Sequence, residues 1–238
     1  MKTLYKRVLL KLSGEGLSGD KGFGVDSASV ISLAEQIKKI VQAKVQVCIV
    51  VGGGNIFRGA KDCTIGLDRS QADQIGMMAT VMNAVVLRGA LQYIGVDAVV
   101  MSGLSMPKVC EDYNYDKAMG YLQSGKVLIF AGGTGNPYFT TDTGAVLRAV
   151  ELHCDAVLKS SQVDGVYSAD PKKDASAVKY DNISYAEVIA KNLKVMDMTA
   201  VALAKDNNMP LLVFSQHFAD SIVNVVQGNG SFSIITNK

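Results

Sequence analysis

The chain has 238 residues, of which 48% are hydrophobic and 19% are charged. These values are typical of a globular protein that is long enough to bury a substantial core. Its 24 basic and 22 acidic residues leave a formal charge of +2, which argues against nucleic acid or an acidic membrane surface as the main partner. The chain has no apolar run of transmembrane length, and its first apolar run is too short for a signal peptide, so we expect a soluble, cytoplasmic protein.

The cysteines and histidines do not predict a metal site. The chain has only two histidines, His153 and His217, and no C-x-x-C pair, whereas zinc sites usually need such closely spaced ligands. Cysteines beside apolar runs, such as Cys48 and Cys154, usually behave as small hydrophobic residues. The four cysteines are Cys48, Cys63, Cys110 and Cys154.

Apolar runs alternate with amphipathic stretches along the chain. The apolar runs predict strands at 8–10, 45–51, 98–101, 127–130, 156–158 and 211–214. The amphipathic stretches predict helices at 27–41, 71–93, 115–123, 141–152, 184–190, 198–206 and 220–226. Ser27 is the expected N-cap of the first of these helices. Uninterrupted apolar strands that alternate with helices indicate a mainly parallel sheet covered on both faces.

A polar, turn-rich stretch interrupts this alternation between Gln162 and Asn182. It is about twenty residues long and contains no amphipathic helix. A structural loop is the simplest interpretation, but a stretch of this length favours a functional loop or a small hairpin.

Three glycine-rich turns directly follow predicted strands, at Lys11–Gly16, Gly52–Asn55 and Gly132–Pro137. In open α/β sheets, ligands bind beyond the carboxyl ends of the strands. Glycine there allows backbone N–H groups to approach a phosphate closely. A single turn of this kind could simply be a tight connection, but three of them with charged neighbours favour a phosphate site.

Two common nucleotide-binding motifs are excluded. Gly14–Gly19 matches the letters G-x-G-x-x-G, but residues 20–24 resemble a loop, so no helix is expected to follow closely. Gly120–Val127 nearly matches a Walker A motif, but it ends in valine and precedes a strand. Phosphates would therefore be held by the glycine turns together with nearby cations.

Lys11, Arg58 and Lys159 are the cations beside these turns. Lys11 and Lys159 end apolar strands, so we expect them at the sheet edge rather than on the solvated surface. Phosphoryl transfer needs positioning and charge neutralisation more than an elaborate nucleophile. Asp142, near the start of a helix, either caps that helix or orients a lysine or a magnesium ion.

Five segments resemble those of the bacterial UMP kinases (uridylate kinases), in the same order and over essentially the whole chain. They are KLSGE at Lys11–Glu15, GGGNIFRG at Gly52–Gly59, GTGNPYFTTDT at Gly133–Thr143, VDGVYSADPK at Val163–Lys172 and LKVMD at Leu193–Asp197. The GTGNP-F-TTD pattern separates these kinases from the related acetylglutamate, carbamate and aspartate kinases. The resemblance implies the amino-acid-kinase fold, a three-layer α/β/α sandwich with a mainly parallel central sheet. It also implies one domain over 1–238, with the acceptor half at roughly 1–155 and the ATP half at roughly 156–238.

The resemblance implies transfer of the γ-phosphoryl group of ATP to UMP, with Mg²⁺ bound mainly through the ATP phosphates. Lys11, Asp142 and Arg58 would be the catalytic residues. The ATP site would comprise Lys11, Ser13, Gly14, Gly54, Arg58, Lys159, Ser161, Tyr167 and Asp170. The UMP site would comprise Gly53, Asp73, Thr134, Gly135, Asn136, Pro137, Tyr138, Phe139, Thr140 and Thr141. The Asp73 carboxylate suits the ribose because it can accept hydrogen bonds from both hydroxyls.

The resemblance also implies a homohexamer that GTP activates and UTP inhibits. Arg88 and Lys126 match basic positions of the inter-subunit GTP site, whereas Gln92 and Val99 stand where a basic residue is frequent, so GTP activation stays open.

Two other functions stay open as well. One is another kinase of this family that acts on a carboxylate or carbamate, which would need a cationic or amide-rich acceptor site. The other is a nucleotide-sensing or nucleic-acid-binding regulator, which loss of Lys11 or Asp142 would favour.

Overall fold

The computed structural model describes residues 2–58, 66–215 and 220–238. Gly59, Cys63 and His217 lie outside these described residues. The strands are β1 (Arg7–Leu12), β2 (Gln46–Val51), β3 (Ala98–Ser102), β4 (Glu111–Asp112), β5 (Val127–Ala131), β6 (Ala156–Ser161), β7 (Val166–Tyr167), β8 (Lys179–Tyr180), β9 (Asn182–Ser184), β10 (Leu211–Ser215) and β11 (Phe232–Thr236). The helices are α1 (Glu15–Ser18), α2 (Ser27–Gln42), α3 (Arg69–Tyr93), α4 (Tyr115–Gln123), α5 (Thr141–Glu151), α6 (Tyr185–Ala190), α7 (Met198–Asp206) and α8 (Ser221–Gln227), with a 3₁₀ turn at Gly19–Lys21.

A nine-stranded sheet forms the middle of the protein, in the order β4-β3-β5-β2-β1-β6-β10-β11-β9. Its neighbouring strands are parallel except for β10 and β11. The strands that precede the three glycine turns, β5, β2 and β1, are adjacent and parallel. Their carboxyl ends therefore bring the three turns side by side at one edge of the sheet.

Helices cover both faces of this sheet. Consecutive residues of β1 point to opposite faces, so Leu9 lies in one core cluster and Val8 and Leu10 in the other, all fully buried. Helices α2, α3 and α8 pack on the Leu10 side, and α4, α5, α6 and α7 pack on the Leu9 side. The predicted three-layer α/β/α sandwich is confirmed.

Helix α3 is a core helix of this sandwich. It has 25 residues and is apolar enough, by length and composition alone, to cross a membrane. Its buried residues Ala84, Leu87 and Leu91 nevertheless pack against the sheet. A capping box starts it, in which the Asp68 carboxylate accepts the Gln71 N–H and the Gln71 side chain accepts the Asp68 N–H.

Most predicted elements are found, with local differences. The N-cap of α2 is Asp26 and not Ser27, because the Asp26 carboxylate accepts the Ser29 N–H at 2.9 Å. A helical turn, α1, begins within the first glycine turn, and the 3₁₀ turn overlaps residues 20–24, which resembled a loop; both are too short to show apolar periodicity. Strands β7 and β8 pair antiparallel within the polar stretch, which confirms the predicted small hairpin.

Candidate active site

Each glycine turn packs closely against a neighbouring segment of backbone. A Cβ atom on Gly14 would lie 2.7 Å from the carbonyl oxygen of Gly52. Gly135 has a φ of +80°, and a Cβ atom there would lie 2.6 Å from the carbonyl oxygen of Gly103. Only glycine fits these two positions without a shift of the backbone. The first turn therefore packs directly on the second, and the third packs on the chain that follows β3.

Two fully buried asparagines brace the second turn from within the fold. Asn83 of α3 donates to the carbonyl oxygen of Gly52 at 2.7 Å and to Asn55 Oδ1 at 2.7 Å. Asn55 in turn donates to Asn83 Oδ1 at 3.1 Å and to the carbonyl oxygen of Gly24 at 2.7 Å. Asn83 is missing from the predicted site because a single asparagine inside an apolar helix carries no recognisable sequence signal.

Lys11, Asp142 and Lys159 form a buried cluster at the centre of this edge, which we call the lysine–aspartate cluster. The two lysines lie opposite each other in the register of β1 and β6. Asp142 Oδ1 lies 2.7 Å from Lys11 Nζ, and Asp142 Oδ2 lies 2.7 Å from Lys159 Nζ. The three side chains are only 12–13% exposed. Both lysines are thus removed from the solvated surface, as the apolar strands predicted.

The two lysines are held differently. Lys159 donates a hydrogen bond to Asp142 Oδ2 and another, at 2.6 Å, to the carbonyl oxygen of Val195. Lys11 approaches Asp142 Oδ1 as an ion pair without hydrogen-bond geometry. Lys159 is therefore held by two hydrogen bonds, and Lys11 by the ion pair alone.

The electrostatics of the cluster favour an anion. Burial by itself raises the pKa of the Asp142 carboxyl, but the charges of Lys11 and Lys159 outweigh it and hold this pKa below its ordinary value. Burial lowers the pKa of Lys159, and the Asp142 carboxylate offsets this only in part. Two ammonium groups against one carboxylate leave the ionised cluster with one net positive charge.

Asp142 orients lysines instead of capping α5. The N-cap is Thr140, whose hydroxyl accepts the Asp142 N–H at 3.0 Å. This geometry excludes the cap and pairs Asp142 with two lysines, while a contact of Asp142 with magnesium stays a prediction.

Asp197 links the segment before α7 to the N-terminus of α5. Its carboxylate caps α7 by accepting the Ala200 N–H at 2.9 Å. It also accepts hydrogen bonds from the hydroxyls of Thr143, at 2.9 Å, and of Thr140. Asp197 was not predicted as a site residue, although its position directly before an amphipathic helix is the signal of a cap.

Arg58 lies beside the first two turns and contacts protein groups there. Its Nε donates to the carbonyl oxygen of Gly54 at 2.8 Å, and its Nη2 donates to Glu15 Oε1 at 2.6 Å. Glu15 Oε2 accepts a further hydrogen bond from Gln162 at 2.8 Å. The Arg58 and Glu15 side chains are about 40% exposed, so this ion pair is weak enough for a phosphate to displace Glu15.

A cavity of ≈ 230 Å³ opens between the second and third turns and α3. We call it the acceptor cavity. Five predicted UMP-site residues line it, namely Gly53, Asp73, Phe139, Thr140 and Thr141. The other predicted UMP-site residues lie in the adjoining turn and do not line this cavity; they are Thr134, Gly135, Asn136, Pro137 and Tyr138.

Asp73 stands at the rim of the acceptor cavity. Its Oδ2 accepts the backbone N–H of Tyr138 at 2.7 Å and lies 3.6 Å from Arg69 Nε. The Arg69 guanidinium in turn lies 4.6 Å from the centroid of the Tyr138 ring. One carboxylate oxygen of Asp73 thus fixes the chain just after the third turn, and Oδ1 makes no hydrogen bond with the described residues.

A narrower cavity of ≈ 130 Å³, the donor slot, lies between β6, β7 and the segment before α7. The predicted residues Ser161 and Tyr167 line it, within walls that are mainly apolar. Asp170 does not line it; its Oδ1 instead accepts the Lys172 N–H at 3.0 Å. The Tyr167 hydroxyl donates to Asp164 Oδ1 at 2.6 Å. Apolar walls with one fixed aromatic ring suit a flat heterocyclic base.

The two predicted regulatory residues are separated within this chain. Arg88 lines an open groove of ≈ 720 Å³ beside β4, together with Gln92 and Val99. Lys126 does not line this groove; its Nζ lies 5.2 Å from the centroid of the Tyr121 ring. Within the described ranges, the structure also contains no group of three histidine, cysteine or acidic residues that could hold a metal ion.

Comparison with known proteins adds to this geometry. The amino acid kinase family model matches residues 6–215. The uridylate kinase of Paramagnetospirillum magneticum is 50% identical over 233 residues, which are 98% of this chain and 97% of that protein. The crystal structure of UMP kinase from Bacillus anthracis has a TM-score of 0.95 and 38% identity, and the match covers 98% of this chain and 97% of that one. UMP kinase from Ureaplasma parvum has a TM-score of 0.93 and 38% identity, covering 99% and 100%.

The sandwich thus has the fold of a phosphotransferase, with the lysine–aspartate cluster at its sheet edge. The chain belongs to the amino acid kinase family. Within that family, identity of 50% along the full length places it in the uridylate kinase branch, which confirms the resemblance drawn from the sequence.

Proposed function

We propose that this protein transfers the γ-phosphoryl group of ATP to UMP and so produces ADP and UDP. The observation that carries this proposal is the buried lysine–aspartate cluster at the sheet edge shared by the acceptor cavity and the donor slot. Full-length identity with uridylate kinases supports UMP as the acceptor. Nothing comparable favours a carboxylate or carbamate acceptor.

Positioning and charge neutralisation drive the reaction. The acceptor is a phosphate that is already ionised at neutral pH, so no general base is needed. Lys11 and Lys159 neutralise charge on the phosphoryl group in transit, and Asp142 holds both ammonium groups towards it. This role explains why a cluster with no histidine can serve as the catalytic centre.

Mg²⁺ enters as part of the Mg·ATP substrate. The Asp142 oxygens are already engaged by two lysines, and Mg²⁺ is usually bound through substrate phosphates and retained waters. Its charge would further neutralise the phosphate chain.

The residue roles follow the two cavities. For ATP, the backbone of Ser13 and Gly14 and the Gly54–Arg58 pair would hold phosphates, and the donor slot would hold the base against Tyr167. Asp170 stays a proposed ribose contact. For UMP, Asp73 would accept hydrogen bonds from the ribose hydroxyls. The segment from Thr134 to Thr141 would enclose the nucleotide.

A homo-oligomer, with the hexamer as the proposed form, is supported by an apolar stripe on α3. Met78, Met82 and Tyr93 lie on one face of the helix and are 44%, 57% and 84% exposed, and such stripes usually mark protein contacts. The protein would act in the cytoplasm, without a membrane or nucleic-acid partner. Inhibition by UTP and activation by GTP are also proposed, on the basis of the family resemblance alone.

The test is ADP release, measured in a coupled assay with UMP, CMP, dCMP, acetylglutamate and carbamate as acceptors. UMP should give the highest kcat/KM. Turnover of acetylglutamate or carbamate without turnover of UMP would contradict the proposal.

A further inference from the structure

One short segment, residues 192–196 before α7, forms a wall shared by two openings. It lines the donor slot, and it also lines a wider opening of ≈ 470 Å³ that contains Asp142 and Lys159. Leu193, Lys194 and Val195 face both openings. A nucleotide with its base in the donor slot and its terminal phosphate at the lysine–aspartate cluster would therefore pass along this wall.

The backbone on either side of Lys194 is anchored. Leu193 and Val195 pack against the core cluster below the wall. The Leu193 N–H donates to the carbonyl oxygen of Val188 at 3.0 Å. The carbonyl oxygen of Val195 accepts from Lys159 at 2.6 Å. Lys194 is thus carried on a fixed piece of chain that is bonded directly to the catalytic cluster.

Lys194 is an exposed cation with no ion pair or side-chain hydrogen bond in the part of the chain that the structure describes. Lys191, three residues earlier, makes an ion pair with Glu187 at 3.1 Å and lies 4.9 Å from the Tyr180 ring centroid. The lysine–aspartate cluster supplies one net positive charge, whereas a triphosphate carries several negative charges. A free ammonium on the path between base and cluster would stabilise the remaining negative charge.

We propose that Lys194 binds the phosphate chain of the donor nucleotide between its base and the phosphoryl group that is transferred. This inference rests on the proposed ATP:UMP kinase function. It assigns Lys194 to donor binding alone, because Lys194 does not line the acceptor cavity. Its effect should scale with the number of phosphates on the ligand and vanish for the nucleoside.

The experiment compares Lys194→Gln with Lys191→Gln, a matched removal of a charge on the same surface. Calorimetry gives the Kd of Mg·ATP and of ADP, and inhibition kinetics give the inhibition constant of adenosine. For Lys194→Gln we expect Mg·ATP and ADP to bind about tenfold more weakly, the magnitude typical of one lost charged contact, with adenosine and the KM of UMP unchanged. Added salt should reduce this difference. Lys191→Gln should resemble the unaltered enzyme.

Three results would overturn the inference. They are nucleotide affinities of Lys194→Gln within twofold of the unaltered enzyme, an equal loss for adenosine, and an equal loss in Lys191→Gln. The proposed function fails separately, since it is refuted if the unaltered enzyme binds ATP but never forms UDP. Unchanged thermal unfolding of both variants ensures that the affinities refer to folded protein.

Discussion

The acceptor cavity and the donor slot are lined by different kinds of residue. The acceptor cavity is lined by tightly packed glycines such as Gly53, where a Cβ atom would lie 2.9 Å from the carbonyl oxygen of Gly76. The donor slot is walled by apolar side chains, with Tyr167 as its fixed ring. A position where two backbones touch accepts only glycine, whereas a position that lines the donor slot can be filled by many different apolar residues. The difference explains why the acceptor side has the more distinctive sequence, and it predicts that variants on the two sides will have separable effects.

The largest expected effect comes from the cluster between the two sides. Lys11→Met should lower kcat by about 10²–10³-fold, because it removes a cation that stabilises the transition state, while UMP binding measured by calorimetry largely survives. Lys6→Met, an exposed lysine just before the same strand, is the matched control. A near-normal kcat in Lys11→Met would remove Lys11 from the catalytic role.

A smaller, one-sided effect is expected at the rim of the acceptor cavity. Asp73→Asn should weaken UMP binding about tenfold, since it removes the negative charge of the carboxylate that accepts the Tyr138 N–H and, in the proposed role, would accept hydrogen bonds from the ribose hydroxyls. The KM of ATP should stay the same. Asp97→Asn, an exposed aspartate at the opposite end of the sheet, should change neither constant. Unchanged UMP affinity in Asp73→Asn would refute the ribose assignment.

The smallest effect concerns the hairpin beside the donor slot. Burial alone would raise the pKa of Asp164, but hydrogen bonds from Ser231, Tyr167 and Lys179 lower it to about 2. The folded carboxyl thus stays ionised below the ordinary value of 3.8. Its stabilisation is therefore complete above pH 3.8 and is lost as the pH falls towards about 2.

Thermal unfolding of the unaltered protein and of Asp164→Asn tests this linkage. The Tm of the unaltered protein should be the higher by a few degrees near neutral pH, and the difference should shrink as the pH falls through this window. A difference in Tm that is constant with pH would show that Asp164 acts in another way.

The sequence predicts the sandwich and the middle of its site because both depend on strong local patterns. Apolar runs predicted the strands of the sheet, and the charge that follows the apolar run in β1 and in β6 singled out Lys11 and Lys159. Strands of two or three residues, such as β4 and β9, show no such pattern. Asn83 and Asp197 act through partners far away in the chain, at Gly52 and Thr140. Contacts of this kind become visible only once the strand order and register are known.

The most direct test of the account is identification of the product by ³¹P NMR in a reaction of the enzyme with ATP, Mg²⁺ and UMP. The account predicts that UDP and ADP appear in equal amounts and that Lys11→Met abolishes both signals on the same timescale. Release of inorganic phosphate without UDP, or UDP formation that is unaffected in Lys11→Met, would contradict it.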